Sequence, residues 1–185
     1  MTDILNTLVA QADAPAANVS PFTEEHRALL KAVSGLTGSK VGAEKLHTTV
    51  IFSKQYVDPA VIEPALKLYK TPLQAKIIGA AAFDALPKED GTRADDVATL
   101  VIKLECPELM ELHAACKQVG CTHTYPELSP HVSLFYGVPK ADCHAAVDTL
   151  NGLIAKLEQP MYVQVSKLYA EPIKQDWAVK NTSKR

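Results

Sequence analysis

The 185-residue sequence lacks the features of a secreted or membrane-spanning protein. Its four cysteines, Cys106, Cys116, Cys121 and Cys143, form no CxxC pair, and no apolar run approaches the roughly 20 residues that a membrane-spanning helix needs. The N-terminal segment has neither the basic start nor the long apolar stretch of a signal peptide. We therefore expect reduced thiols, a cytoplasmic location and no association with membranes.

Several common catalytic signatures are also missing. The chain has only eight glycines and contains no P-loop, no GxGxxG turn and no nucleophile elbow, which are the usual signatures of NTP hydrolysis, dinucleotide-dependent redox chemistry and esterase catalysis. Nineteen Lys and Arg residues against 21 Asp and Glu residues give a net charge of −2, so no overall positive field attracts duplex DNA. A small anionic ligand held by a few local groups is compatible with this charge, and the sequence gives no indication of the oligomeric state.

Composition and the order of predicted elements indicate one α+β domain. Hydrophobic residues make up 47% of the chain and charged residues 22%, as in ordinary globular proteins. Because no linker divides residues 1–185, we predict a single domain with a loose, weakly helical segment at 1–15 and a tail at 171–185. Hairpin connections make the sheet partly antiparallel. Strands are predicted at 17–22, 46–53, 73–83, 97–104, 131–137 and 161–169, and helices at 23–36, 58–69, 107–119 and 140–157.

The most informative feature is a short pattern that occurs twice. The segments HTTVIFS and HVSLFYG, which begin at His47 and His131, each have a histidine, a hydroxyl residue two positions later and then hydrophobic residues. Because side chains alternate along a strand, His47 and Thr49 lie on one face of their strand, and His131 and Ser133 on one face of theirs. Each strand therefore presents an imidazole beside a hydroxyl.

Two such strands, related by an approximate twofold, would place two imidazoles and two hydroxyls around one cleft. This arrangement suits phosphodiester cleavage, because one neutral imidazole can take a proton from the attacking oxygen while the other, as imidazolium, protonates the leaving oxygen. The hydroxyls of Thr49 and Ser133 can donate hydrogen bonds to the nonbridging phosphoryl oxygens, and no metal is required. The strands are too alike for the sequence to tell whether His47 or His131 is the base.

The paired motifs resemble the 2H phosphoesterase superfamily. Within it, the segments 44–49 (EKLHTT) and 129–134 (SPHVSL), with the preceding Gly120 and Tyr125, are most similar to bacteriophage anti-CBASS phosphodiesterases. The resemblance implies a two-lobed, pseudo-symmetric, LigT-like fold with mostly antiparallel sheets around a central groove. It also implies cleavage, without metal or cofactor, of the 3′,5′-linked cyclic di- or trinucleotide signals of bacterial antiviral defence. The residues that would carry this chemistry are His47, Thr49, His131 and Ser133.

The C-terminal segment EPIKQDW, from Glu171 to Trp177, resembles a segment of the phage enzymes in which an acidic residue and a tryptophan contact nucleobases. By that resemblance Glu171 reads a base edge, and Trp177 stacks on a base, an interaction worth about 1 to 3 kcal/mol. An alternative interpretation is that Trp177 only pins the tail onto the fold. The phage enzymes also present an aromatic residue from the first strand, whereas residues 16–22 offer only Phe22.

Three other interpretations stay open on the sequence alone. The same four residues would serve an enzyme that opens 2′,3′-cyclic phosphates or handles 2′,5′ linkages at RNA ends, although the net charge disfavours a basic RNA groove. A noncatalytic protein that sequesters a nucleotide is a second alternative. The third is a zinc site, although its spacing matches no common zinc finger and an amphipathic helix followed by a loop explains the same residues. The residues of that cluster, all within eleven positions, are His113, Cys116, Cys121 and His123.

Overall fold

The computed structural model describes residues 6–12, 31–32, 35–41, 46–53, 57–84, 95–122 and 127–172. Within these ranges the chain forms seven strands and three helices, and residues 31–32 are also helical, inside the predicted helix at 23–36. The strands are β1 (Asn6–Ala12), β2 (Ser39–Lys40), β3 (His47–Ser53), β4 (Leu73–Asp84), β5 (Val97–Glu105), β6 (His131–Pro139) and β7 (Tyr162–Pro172), and the helices are α1 (Pro59–Leu68), α2 (Pro107–Gln118) and α3 (Lys140–Ile154). No helix in the described ranges is long and apolar enough to cross a membrane.

The strands form one seven-stranded sheet in the order β2-β6-β5-β4-β7-β1-β3, and every neighbouring pair is antiparallel. Helix α3 packs on β4, β5 and β6, whereas α2 packs on β3 and α1 packs on β7. Strand β7 pairs with β4 up to Val165 and with β1 from there onward. The chain therefore has two lobes, one built from β6, β5, β4 and α3, the other from β7, β1, β3, α1 and α2.

The predicted α+β class is confirmed, and most predicted elements lie where the sequence places them. Strand β4 alternates buried and exposed residues from Leu73 to Ile78, because one face of the strand packs into the interior. The helices cover the sheet with fully buried leucines, Leu109 and Leu112 from α2 and Leu150 from α3. The expected antiparallel sheets of the two lobes are parts of one continuous sheet.

Local signals in the sequence determine the helix ends. Asp58 caps α1, since its side chain accepts a hydrogen bond from the Ala60 N–H at 2.9 Å. Helix α2 begins at Pro107, whose missing N–H costs nothing in a first turn. The chain leaves α2 through Gly120, which has φ +97°, a conformation that favours glycine. The end of the helix predicted at 107–119 is therefore confirmed to within one residue.

A side chain of α3 completes the hydrogen bonding of a bulge in β4. The register between β4 and β5 shifts between Ile77 and Gly79. The Ala80 N–H donates to Oδ1 of Asn151 at 2.8 Å, and Nδ2 of Asn151 donates to the Ala80 carbonyl at 3.2 Å. A Cβ at Gly79 would lie 3.1 Å from the same Oδ1, so glycine gives the helix room to approach. These bonds fix α3 to β4.

Two terminal segments differ from their predictions. Residues 6–12 were expected in a loose, weakly helical segment at 1–15, but they form β1, which pairs with β7 on one edge and β3 on the other. Hydrogen bonds along both edges outweigh the modest helix propensity of this Ala- and Leu-containing stretch. Strand β7 runs to Pro172, so the first two residues of the expected tail at 171–185 belong to the sheet. The strand predicted at 17–22 lies outside the described residues.

Candidate active site

Each of the two His-x-hydroxyl motifs lies at the start of a strand. Strand β3 begins at His47 and β6 begins at His131, and each hydroxyl residue follows two positions later. His47 is exposed, whereas Thr49, His131 and Ser133 are half-buried. Strand alternation therefore places each imidazole and its hydroxyl on one face that solvent reaches.

The two motif strands, β3 and β6, meet although four strands separate them in the sheet order. The Pro130 carbonyl accepts a hydrogen bond from the Leu104 N–H of β5 at 2.8 Å. Because the C=O and N–H of a trans peptide point in opposite directions, the His131 N–H points away from β5. It donates to Oγ1 of Thr48 in β3 at 3.3 Å. The sheet therefore curls until its last strand reaches the edge of β6 that faces away from β5.

Three contacts hold His131. Its backbone N–H donates to Thr48, as described, and its Nδ1–H donates to the Ser129 carbonyl at 2.8 Å. Since a carbonyl can only accept, Nδ1 bears the proton and Nε2 of the neutral ring keeps its lone pair. The Phe83 ring packs against the imidazole with centroids 4.8 Å apart and 69° between the planes. The contacts thus determine both the orientation of the ring and the nitrogen that can take a proton.

The surroundings of His131 favour its neutral form. Burial is the main cause that lowers the pKa of His131 below the ordinary 6.5, the hydrogen bond to the Ser129 carbonyl opposes this, and the charge of His47 lowers the pKa further. The His131 backbone contacts Thr48, the residue next to His47. The structure therefore places the two motif histidines where β3 and β6 meet.

The two lobes present matching rows of residues across the sheet. Directly opposite residues of antiparallel strands share a face of the sheet. Each histidine has a polar residue opposite it on the neighbouring strand, and each hydroxyl residue has a valine. The rows are His47, Gln11 and Lys167, and Thr49, Val9 and Tyr169, in one lobe, and His131, Lys103 and Gly79, and Ser133, Val101 and Ala81, in the other.

Aromatic residues lie beside both motifs. Tyr169 of β7 is half-buried in the Thr49 row, and Nζ of Lys167 lies 5.2 Å from the centroid of its ring. Neither Tyr169 nor Phe83 is among the residues expected at the site. The sequence feature that could have identified Tyr169 is its position at the end of the predicted strand 161–169, two residues before Glu171.

The Cα of Glu171 pairs with Thr7 of β1. Trp177 and residues 16–22 lie outside the described residues, and β1, whose sequence is NTLVAQA, contains no aromatic residue.

The three described residues of the zinc alternative, His113, Cys116 and Cys121, are buried. His113 is buried in α2, and its Nδ1–H donates to the Val50 carbonyl at 2.8 Å, which joins α2 to β3. Burial raises the pKa of Cys116 to about 12, and the neighbouring Cys121 contributes in the same direction. All four cysteines are buried, and none of them forms a disulfide in the structure. Among the described residues no three His, Cys, Asp or Glu side chains form a group that could hold a metal, and His123 lies outside them.

Solved structures of low sequence identity resemble the chain in part. Kluyveromyces marxianus Usb1 with uridine monophosphate matches with a TM-score of 0.47 and 11% identity, covering 92% of this chain and 99% of that one. E. coli LigT complexed with 3′-AMP matches with a TM-score of 0.44 and 14% identity, covering 94% of this chain and 97% of that one.

The sequence itself matches a family of phage proteins. The family model described as anti-CBASS protein Acb1 matches residues 18–180. The anti-CBASS protein Acb1 of Vibrio phage KVP40 is 26% identical over 138 residues, which cover 75% of this chain and 72% of that protein. The protein of the same name from Enterobacteria phage T4 is 25% identical over 138 residues, which cover 75% of this chain and 73% of that protein. The predicted resemblance to the phage anti-CBASS phosphodiesterases is confirmed, and the chain belongs to the anti-CBASS protein Acb1 family of phosphodiesterases.

Proposed function

We propose that the protein cleaves 3′,5′-linked cyclic di- or trinucleotides by general acid–base catalysis with two histidines and without a metal. Family membership supports a phosphodiesterase that acts on cyclic nucleotides. The observation that carries the finer proposal is the meeting of β3 and β6, through the hydrogen bond from the His131 N–H to Thr48, the residue next to His47. Two imidazoles can therefore act on one phosphate.

The substrate's own 2′-hydroxyl is the nucleophile in this proposal. The O2′–P bond forms as the P–O5′ bond breaks, which leaves a 2′,3′-cyclic phosphate and a free 5′-hydroxyl. One imidazole accepts the proton of the 2′-hydroxyl, and the imidazolium of the other donates a proton to O5′. Attack of water on the cyclic phosphate, with the two roles exchanged, then restores both protonation states.

We assign the base to His131 and the acid to His47. Burial favours the neutral form of His131, and the Ser129 carbonyl holds its Nδ1–H, so Nε2 is the nitrogen that accepts the proton. His47, the motif histidine next to Thr48, takes the remaining role. Thr49 and Ser133, each two residues after a histidine, donate hydrogen bonds to the nonbridging phosphoryl oxygens as charge develops there.

Contacts to the nucleobases come from the β7 end of the site. Glu171 continues the strand that carries Tyr169, and its Cα lies in the sheet beside β1. We propose that Glu171 reads a base edge and that Trp177 stacks on a base, because the segment EPIKQDW is similar to the base-contacting segment of the phage enzymes.

Incubation with a panel of cyclic di- and trinucleotides, with products resolved by mass spectrometry, tests the proposal. We expect cleavage that persists in EDTA, that is lost when the sugars are 2′-deoxy, and that falls by about 10² to 10⁴-fold in His47→Ala and in His131→Ala. His144→Ala, an exposed histidine on α3, is the matched control and should retain wild-type rates. Loss of activity in EDTA would refute the metal-free mechanism, and faster cleavage of an RNA ending in a 2′,3′-cyclic phosphate would refute the substrate class.

A substrate with sulfur in place of the bridging O5′ separates the two histidine roles. A thiolate leaves without being protonated, so the acid is no longer needed while the base still is. We expect this substrate to restore most of the cleavage lost in His47→Ala and little of that lost in His131→Ala. The reverse pattern would exchange the two assignments.

A further inference from the structure

We propose that Thr48 is a positioning residue that sets the spacing between the two catalytic histidines, an inference that rests on the proposed function. In the repeated pattern Thr48 corresponds to Val132, and both side chains are buried, with 1% and 4% of their surface exposed. A buried hydroxyl needs a hydrogen-bond partner, whereas the apolar Val132 needs none. The partner of Thr48 is the backbone N–H of His131 in the other lobe, at 3.3 Å.

Because of the position of Thr48 in the chain, this bond affects where both motif residues of β3 lie relative to β6. Thr48 stands between His47 and Thr49, so a shift of Thr48 relative to β6 moves both motif residues of β3. On the other side, the peptide between Pro130 and His131 is already fixed to β5 through the Leu104 N–H. The bond therefore joins a peptide fixed in one lobe to the centre of the motif in the other. Its loss leaves each motif intact and changes the distance between them.

Thr48→Val tests the proposal because valine keeps the size and removes the hydroxyl. We expect kcat to fall by about 10- to 10²-fold, since a misplacement of about 1 Å costs about 10²-fold, while KM stays within about twofold. Thr48→Ser, which restores the hydroxyl, should recover kcat to within about threefold of wild type.

The matched control is Ser53→Ala, at the other end of β3. Ser53 is as buried as Thr48, and its Oγ accepts a hydrogen bond from the Thr122 N–H at 3.1 Å. Because this bond does not involve His131, we expect Ser53→Ala to keep kcat within about twofold. An equal loss of kcat in both variants, or an unchanged kcat in Thr48→Val, would overturn the positioning role.

Amide hydrogen exchange of His131 tests the link without substrate. In Thr48→Val we expect exchange at the His131 amide to accelerate by about fivefold or more, while the Leu104 amide, bonded to Pro130, keeps its protection. Inactivity of the wild-type protein toward every cyclic nucleotide would refute the proposed function, but the exchange measurement would still test the hydrogen bond between His131 and Thr48. Unchanged exchange at His131 would overturn the inference itself.

Discussion

Removal of the Ser133 hydroxyl measures how much one hydrogen-bond donor contributes to the proposed cleavage. Ser133 is half-buried, and its row on the sheet continues with Val101, which is 0% exposed, and Ala81. Neither neighbour has a polar side chain that could replace the lost donor. Loss of one donor to a developing oxyanion costs about 2.7 to 4 kcal/mol, so Ser133→Ala should lower kcat by about 10² to 10³-fold.

Steady-state kinetics with a cyclic dinucleotide as the substrate measure the effect of Ser133→Ala on kcat and KM. We expect KM to change little, because the hydroxyl contributes mainly where charge concentrates in the transition state. Ser133→Thr, which keeps the donor, should retain much more activity than Ser133→Ala. Thr149→Ala is the control: its hydroxyl is exposed on α3 and donates to the Ala145 carbonyl at 2.9 Å. A loss under about threefold, or a rise in KM with kcat unchanged, would refute a transition-state role for Ser133.

Three further predictions concern pH, stability and base stacking. Because the pKa of His131 is lowered, kcat/KM should rise with pH through a limb centred below 6.5, and a pH–rate profile checks this. Below pH 6.5 the unfolded chain binds more protons than the folded chain, so the free energy of unfolding should fall as the pH drops, and urea titrations check this. Asn151→Leu leaves the Ala80 N–H and carbonyl without their partner and should cost about 2 to 4 kcal/mol in urea unfolding. Stacking of the Tyr169 ring on a base predicts that Tyr169→Ala raises KM by about fivefold or more, whereas Tyr169→Phe, which keeps the ring, does not. Equal losses of substrate binding in the two variants would argue against stacking.

Much of the fold is encoded in local patterns of the sequence. The β-branched run after His47 predicts β3, and the alternation from Leu73 predicts β4, because one strand face must be buried whatever the neighbours are. Strand β1 is the exception. Its seven residues carry no strong strand signal, and they become a strand only because β7 and β3 pair with both of its edges. Such pairing depends on distant segments and is invisible in a local window.

The candidate site, like the fold, is predictable from the sequence only where its residues follow a local pattern. The four motif residues follow from period-two spacing within each strand, which depends only on backbone geometry. Thr48 and Phe83 enter the site through contacts between lobes or across strands, so their spacing in the chain gives no sign of a role. The contact of Thr48 with His131 exists only because the sheet curls. Thr48 nevertheless has one local signal, since it is the polar member of a pair whose other member, Val132, is apolar.

The different roles proposed for the two histidines rest on their different burial. By sequence the strands are equivalent, and each could supply either the base or the acid. In the folded chain, His47 stands exposed on the last strand of the sheet, whereas His131 lies against Phe83 and donates to the Ser129 carbonyl. Acid and base roles separate when two titratable groups have different surroundings. The two histidines are therefore unequal in the folded chain, because Phe83 packs against His131 whereas His47 is open to solvent.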